Sequence, residues 1–214
     1  MVIELFSDYL CPWCFIGAHR LRRVLATVDG PFALRFRAFQ LRPGLPTEGI
    51  DRVALLEQQY GTAADPGRVP ARVAETAAEE HLELDYAAMR RVPNTLAAHR
   101  LMAALQAHSD APESTWALAE RLFRAYFQEG VDLGDRDWLA RLGAEFGVDD
   151  AEGALVDGSA AADSVSADLA AAAEREVVGV PNLWFAGRFS LPGVQGEETL
   201  RHFVERAFER LGDA

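Results

Sequence analysis

Residues 2–14 read VIELFSDYLCPWC, and the fold follows from this run. Val2 to Phe6 is a short, mostly apolar stretch of strand length. It leads through Ser7, Asp8, Tyr9 and Leu10 into Cys11-Pro12-Trp13-Cys14. Beyond the second cysteine, Cys14, Ala18, Leu21, Leu25 and Val28 recur at steps of four and three, the period of a helix. Asp29-Gly30-Pro31 stops that helix. Phe32 to Phe39 then alternates Phe32, Leu34, Phe36 and Ala38 against Ala33, Arg35, Arg37 and Phe39, the pattern of a strand with one strongly apolar face. The two cysteines therefore open a helix lying between two strands.

Outward from this unit, Arg42-Pro43-Gly44-Leu45-Pro46 breaks the pattern. From Asp51 to Glu176 every convincing period is helical. Helices are expected over 51–60, 66–80, 94–108 with Asn94 as cap, 112–128, from Asp135 onward, and 159–176. After Gly179 strand signals return, in Asn182 to Ala186 and in Phe189 to Leu191, joined by the turn residues Gly187-Arg188. A last helix carries Leu200, Phe203, Val204, Ala207 and Phe208 on one stripe, with Glu197 and Glu198 favourably placed in its first turn. The order is β-α-β, a helical block, then α-β-β-α.

Composition narrows the function classes. Half of the 214 residues are apolar, enough for a substantial core without staples. The net charge of −12 repels a phosphate backbone, so a nucleic-acid partner is not expected. All 21 basic residues are Arg, which removes Schiff-base lysines and the P-loop lysine. No apolar run is long enough to span a bilayer, and no basic segment followed by an apolar stretch opens the chain. The expectation is a cytoplasmic protein without a membrane partner.

Only two cysteines are present, three positions apart, where a secreted disulfide scaffold would carry more, widely spaced. Pro12 suits a first helical turn because it has no N–H to leave unsatisfied. It also biases Cys11 toward an extended backbone just outside the helix. Unpaired N–H groups and the helix dipole then favour a thiolate at Cys11, while Cys14, one turn in, is more buried. Cys11 reads as the attacking sulfur and Cys14 as the resolving one, in exchange through a mixed disulfide. The competing reading, half a zinc site, needs two more ligands; there is no second CxxC and the five histidines are scattered, so no metal is expected. Val180-Pro181, at a strand start, is the other notable pair. A proline after an apolar residue there is a place where a cis peptide serves a purpose, and it leaves neighbouring backbone groups free for a substrate chain.

The segments VIELFSDYLCPWCFIG, RAFQLRP, NTLAAHRL, AYFQEG and GVPNLWF, in that order, resemble the FrnE-like branch of the DsbA family, from residue 2 to residue 205. The resemblance implies an α/β protein of thioredoxin-like fold with an inserted all-helical domain. The discontinuous thioredoxin-like domain would comprise residues 1–45 and 160–214, and the insert residues 46–159. It also implies Cys11 as nucleophile, Cys14 as its partner, Pro12 and Trp13 between them, and Val180 with a cis Pro181 beside them. Two departures stand out. DsbA carries His where Trp13 stands, so Cys11 is expected to be less acidic than the DsbA nucleophile and the pair less oxidising. A second, C-terminal cysteine pair found in some FrnE-like proteins is absent.

Supporting roles follow from the same resemblance. Glu4 matches the buried acid beneath the cysteines of DsbA-like proteins if one residue is inserted before Cys11; the alternative is an ordinary solvent-facing strand residue. His99 lies on a helix that covers the active site in relatives, where it would tune the thiolate or cap the cleft; a solvent-facing histidine is the alternative. Asp8, Tyr9, Trp13 and Phe39 are candidates for a peptide-docking rim, whereas Trp116 and Trp138 read as helical core. The expected activity is protein-disulfide exchange with protein, peptide or small thiols and disulfides, without a bound cofactor and with glutathione as a possible co-substrate. Two alternatives remain: a glutathione-dependent isomerase or transferase, resembling 2-hydroxychromene-2-carboxylate isomerase and kappa-class glutathione transferase, and a non-catalytic redox-sensing module. The first two families typically carry Ser where Cys11 stands.

Overall fold

The computed structural model describes residues 1–61, 65–109 and 111–211. Strand β1 (Val2–Ser7) and strand β2 (Ala33–Ala38) run parallel, in register from Val2 opposite Ala33 to Ser7 opposite Ala38, and helix α1 (Pro12–Leu25) connects them. Strand β5 (Asn182–Phe185) lies antiparallel against the other side of β1, and β6 (Phe189–Pro192) pairs back on β5. The sheet order is β2-β1-β5-β6. Helix α9 (Glu197–Leu211) follows.

The parity of β1 explains its near-continuous apolar sequence. Ile3 and Leu5 enter the main core with Leu34, Phe36, Leu21, Phe185 and Leu200. Phe6 points the other way, onto Ala172 and Val177. A strand covered on both faces has no polar side to alternate with. Each such buried Ile, Leu or Phe contributes ~2 kcal/mol of transfer free energy.

Between β2 and β5 lie β3 (Ile50–Asp51), α2 (Arg52–Tyr60), α3 (Ala71–Glu79), β4 (Arg91–Val92), α4 (Leu96–His108), α5 (Pro112–Phe127), α6 (Arg136–Glu145), α7 (Ala151–Ala154) and α8 (Ala160–Glu174). The insertion is helical except for the two-residue antiparallel ribbon β3-β4, which periodicity over so short a span does not reveal. Side-chain caps set several helix starts: Asp51 accepts from the Ala54 amide, Asp135 from Trp138 and Ser159 from Ala162. At α4, Thr95 takes the cap position, and Asn94 Oδ1 accepts from the Leu96 amide at 3.1 Å.

Two devices join the insertion to the sheet. Glu80, buried just past α3, accepts from Arg20 Nε and from Arg23 of α1, each at 2.7 Å. On the outer edge of β2, the Gln106 amide of α4 accepts from Phe36 N–H at 2.8 Å and donates to Phe36 C=O at 3.1 Å, occupying backbone groups that another strand would otherwise pair with. Together they seat α3 and α4 around α1 and β2.

Candidate active site

Cys11 occupies the position before α1, with extended backbone (φ −95°, ψ 111°), and Pro12 opens the helix. Its own amide donates to the Asp8 carbonyl at 3.0 Å, and its carbonyl accepts from Cys14 N–H at 3.0 Å and Phe15 N–H at 3.3 Å. The first-turn amides of α1 are thus collected beneath the sulfur. Both cysteines are buried and unbridged, Cys11 4% and Cys14 0% exposed.

The two thiols differ sharply. The Cys14 thiol hydrogen-bonds the Cys11 sulfur and is the main influence drawing the Cys11 pKa below the ordinary thiol value. The backbone amides of Cys14 and Trp13 act in the same direction, while burial and the Asp8 carboxylate oppose them. Cys14 is pushed well above the ordinary value, first by burial and then by its role as donor to Cys11. A sulfur prone to be thiolate therefore sits beside one that holds its proton.

Across from Cys11, the Val180–Pro181 peptide is cis. The Val180 carbonyl accepts from Cys11 Sγ at 3.5 Å. Gly17 of α1 lets this loop approach: a Cβ there would lie 3.1 Å from Pro181 Cγ. Trp13, half-buried, leans on α3, where the Arg72 guanidinium lies 5.8 Å from its ring centre.

Of the two expected supporting residues, Glu4 lies on the far side of the sheet and His99 beside the turn that precedes Cys11. Glu4 is buried, but strand parity puts it on the sheet face opposite Ile3, Leu5 and the cysteines. There it pairs with Arg175, at the end of α8, at 2.6 Å and with Arg37 at 3.4 Å. No inserted residue turns it toward Cys14, because β1 pairs without interruption from Val2 to Ser7. His99 is buried rather than solvent-facing. Its Nε2 is 3.1 Å from the Phe39 carbonyl, an acceptor only, so Nε2 carries the proton. The ring packs on Tyr9 with centroids 4.9 Å apart, and Nε2 lies 3.8 Å from Asp8 Oδ1. His99 thus addresses Asp8 and Tyr9.

The expected docking rim also divides. Asp8 and Tyr9 are 0% and 1% exposed and belong to the interior, and Phe39 packs with Phe6 on the far sheet face. Trp13 alone of the four stands at the mouth. Trp116 is core, set edge-on to Phe36 at 5.5 Å, and Trp138 packs against the same cluster. Tyr86 is a neighbour that no sequence signal announced. Burial pushes its hydroxyl up to about 12, the Arg52 guanidinium opposes the rise, and the charge of Cys11 adds to it. Phe127 stacks on it at 6.2 Å and the Arg52 guanidinium lies 5.2 Å from its centroid. Among the described residues no group of three or more His, Cys, Asp or Glu side chains is arranged to hold a metal ion.

The fold that carries this dithiol has counterparts among known proteins. Residues 2–205 match the family described as DSBA-like thioredoxin domain. The chain belongs to this family. It is 28% identical over 151 residues to YwbO of Bacillus subtilis, covering 70% of this chain and 68% of that one. The probable DsbA oxidoreductase SCO1869 of Streptomyces coelicolor superposes with a TM-score of 0.79 at 24% identity, covering 98% of this chain and 90% of that one. The cytosolic disulfide reductase DsbM of Pseudomonas aeruginosa, also solved with GSH, superposes at 0.68 and 19% identity, over 98% and 100% of the two chains. These likenesses establish the shared DsbA-like thioredoxin fold. No helix among the described residues is long and apolar enough to cross a membrane.

Proposed function

We propose that this DsbA-like protein exchanges disulfides through Cys11 and Cys14, acting on protein, peptide or small thiols in the cytosol. The observation that carries the reading is the asymmetry of the pair: Cys11 lowered chiefly by the Cys14 thiol, Cys14 raised by burial. The Cys11 thiolate attacks a substrate disulfide R–S–S–R′. The S–S bond breaks, R′–S⁻ leaves and takes up a proton, and Cys11 is joined to R. Cys14 then gives up its proton and attacks the Cys11 sulfur, R–S⁻ departs, and the protein holds the Cys11–Cys14 disulfide. Two electrons have passed to the substrate, and the steps run backwards when the substrate is a dithiol. The Val180 carbonyl flanks the sulfur where the mixed disulfide forms. Two molecules of glutathione would restore the dithiol, a role suggested by the GSH complex of DsbM.

The deciding experiment equilibrates the protein in glutathione buffers of graded ratio, traps free thiols and reads them by mass. A single two-electron step involving both cysteines is expected, together with insulin-disulfide reduction that Cys11→Ser abolishes. No step, or one glutathione held stably on Cys11, would overturn the reading in favour of glutathione-dependent chemistry on small molecules.

A further inference from the structure

The redox pair shares its pocket with a buried carboxylate. Asp8 lies in the turn between β1 and α1 and is 0% exposed. Its carbonyl receives the Cys11 amide at 3.0 Å, which ties its position to the nucleophile. Oδ1 accepts from Leu10 N–H at 3.2 Å and Oδ2 from Leu41 N–H at 2.7 Å, so the carboxylate is held from the α1 side and from the segment after β2. Two amide hydrogen bonds orient the carboxylate without supplying a compensating charge. Among the described residues the one side chain within 4 Å capable of positive charge is His99, at 3.8 Å, and its Nε2 proton is directed to the Phe39 carbonyl. The Asp8 charge is felt by Cys11 of α1, Tyr9 of its own turn and Tyr126 of α5, and His99 of α4 lies 3.8 Å from Oδ1, while the Asp8 backbone amide is turned to Cys14.

We propose that Asp8 is a positioning residue that biases the Cys11/Cys14 couple toward electron donation, making the protein a disulfide reductant. The proposal rests on the dithiol reading above and adds its direction. When the pair is reduced and Cys11 is thiolate, two negative charges share a dry pocket; when it forms the disulfide, only Asp8 remains charged. Repulsion therefore disfavours the reduced form and drives its two electrons onto a substrate disulfide. The Asp8 carboxylate also opposes the lowering of the Cys11 pKa, in agreement with this sign. The balance is one protein dithiol plus one R–S–S–R′ giving one protein disulfide, R–SH and R′–SH. Two molecules of glutathione, in excess over their disulfide, then reload the protein and leave as glutathione disulfide.

The test measures, at pH 8, the equilibrium constant of the reduced protein against oxidised glutathione for the native protein, Asp8→Asn and Asp8→Glu. The native constant is expected above about 1 M, on the thioredoxin side of glutathione. Removing the charge in Asp8→Asn should lower it by about tenfold, the equivalent of one pKa unit, and should lower the Cys11 pKa read from thiolate absorbance. Asp8→Glu, which keeps the charge, should stay near the native value. A native constant far below 1 M, or a folded Asp8→Asn within twofold of native, overturns the proposal. If the Asp8 variants do not fold, the native constant alone decides. Absence of any two-electron step in the native protein would instead sink the dithiol reading itself.

Discussion

Replacing Cys14 by alanine removes the strongest support of the Cys11 thiolate while leaving the helix start intact. What remains are the backbone amides of Cys14 and Trp13, opposed by burial and by Asp8. A hydrogen bond to a charged group is worth ~1.5–3 kcal/mol. At 1.36 kcal/mol per pKa unit, its loss should raise the Cys11 pKa by about one to two units. The reactive thiolate fraction below that pKa falls by about ten- to a hundredfold. Cys14→Ser keeps an O–H donor of similar reach, so its rise should be smaller. The assay is the rate of alkylation by iodoacetamide against pH for the reduced native protein and both variants, supported by thiolate absorbance near 240 nm. An unchanged or lower midpoint in Cys14→Ala, with the fold intact by circular dichroism, would refute the claim that Cys14 holds the thiolate. So would a larger rise in Cys14→Ser than in Cys14→Ala.

Three further outcomes follow from the geometry. The reduced protein should be most stable near pH ~8.5, the pKa of an unfolded thiol. Below it the native state holds fewer protons through the lowered Cys11, so stability rises with pH; above it the native state holds more through the raised Cys14, so stability falls. Urea unfolding across pH 7–10 of the reduced and disulfide forms checks this, since the cysteine contribution disappears on oxidation. Glu80→Gln leaves buried Arg20 only the exposed Glu79, 3.7 Å away, as charge partner and should cost about 3 kcal/mol in urea unfolding, on the scale of breaking a buried pair. Glu4→Gln should weaken the Arg175 and Arg37 contacts, lowering stability by about 1–2 kcal/mol, yet leave the redox midpoint unchanged because it lies across the sheet from the sulfurs. A shifted midpoint would show that the two faces communicate.

The local features were legible in the amino-acid order. Alternation, helical period and breakers placed β1, α1, β2, β5, β6 and α9, because one apolar face per element is written at short range. The helical periods opened at Asp51, Asp135 and Ser159, whose side chains cap α2, α6 and α8, while at α4 Thr95 takes the cap position expected of Asn94. The spacing of Cys11 and Cys14 with Pro12 between them identified the chemistry, since three residues at a helix start suffice to set one sulfur outside and one inside. The two-residue ribbon β3-β4 was not legible, for it offers too few residues to show a period.

What tertiary structure decided is which charges lie near the sulfurs. Glu4 and Asp8 are both acids just before the motif, and the family resemblance pointed to Glu4. Yet β1 presents Ile3 and Leu5 to the cysteines, so Glu4 turns to Arg175 and Arg37. Asp8 reads in the sequence as part of a docking rim; it is buried because Leu41, 33 positions on, and His99 of α4 close over it. Tyr86 feels the charge of Cys11 from a loop with no motif of its own. Elements and nucleophile are set by neighbours along the chain, whereas the electrostatics of a buried thiol depend on groups that only the packed fold brings within a few ångströms.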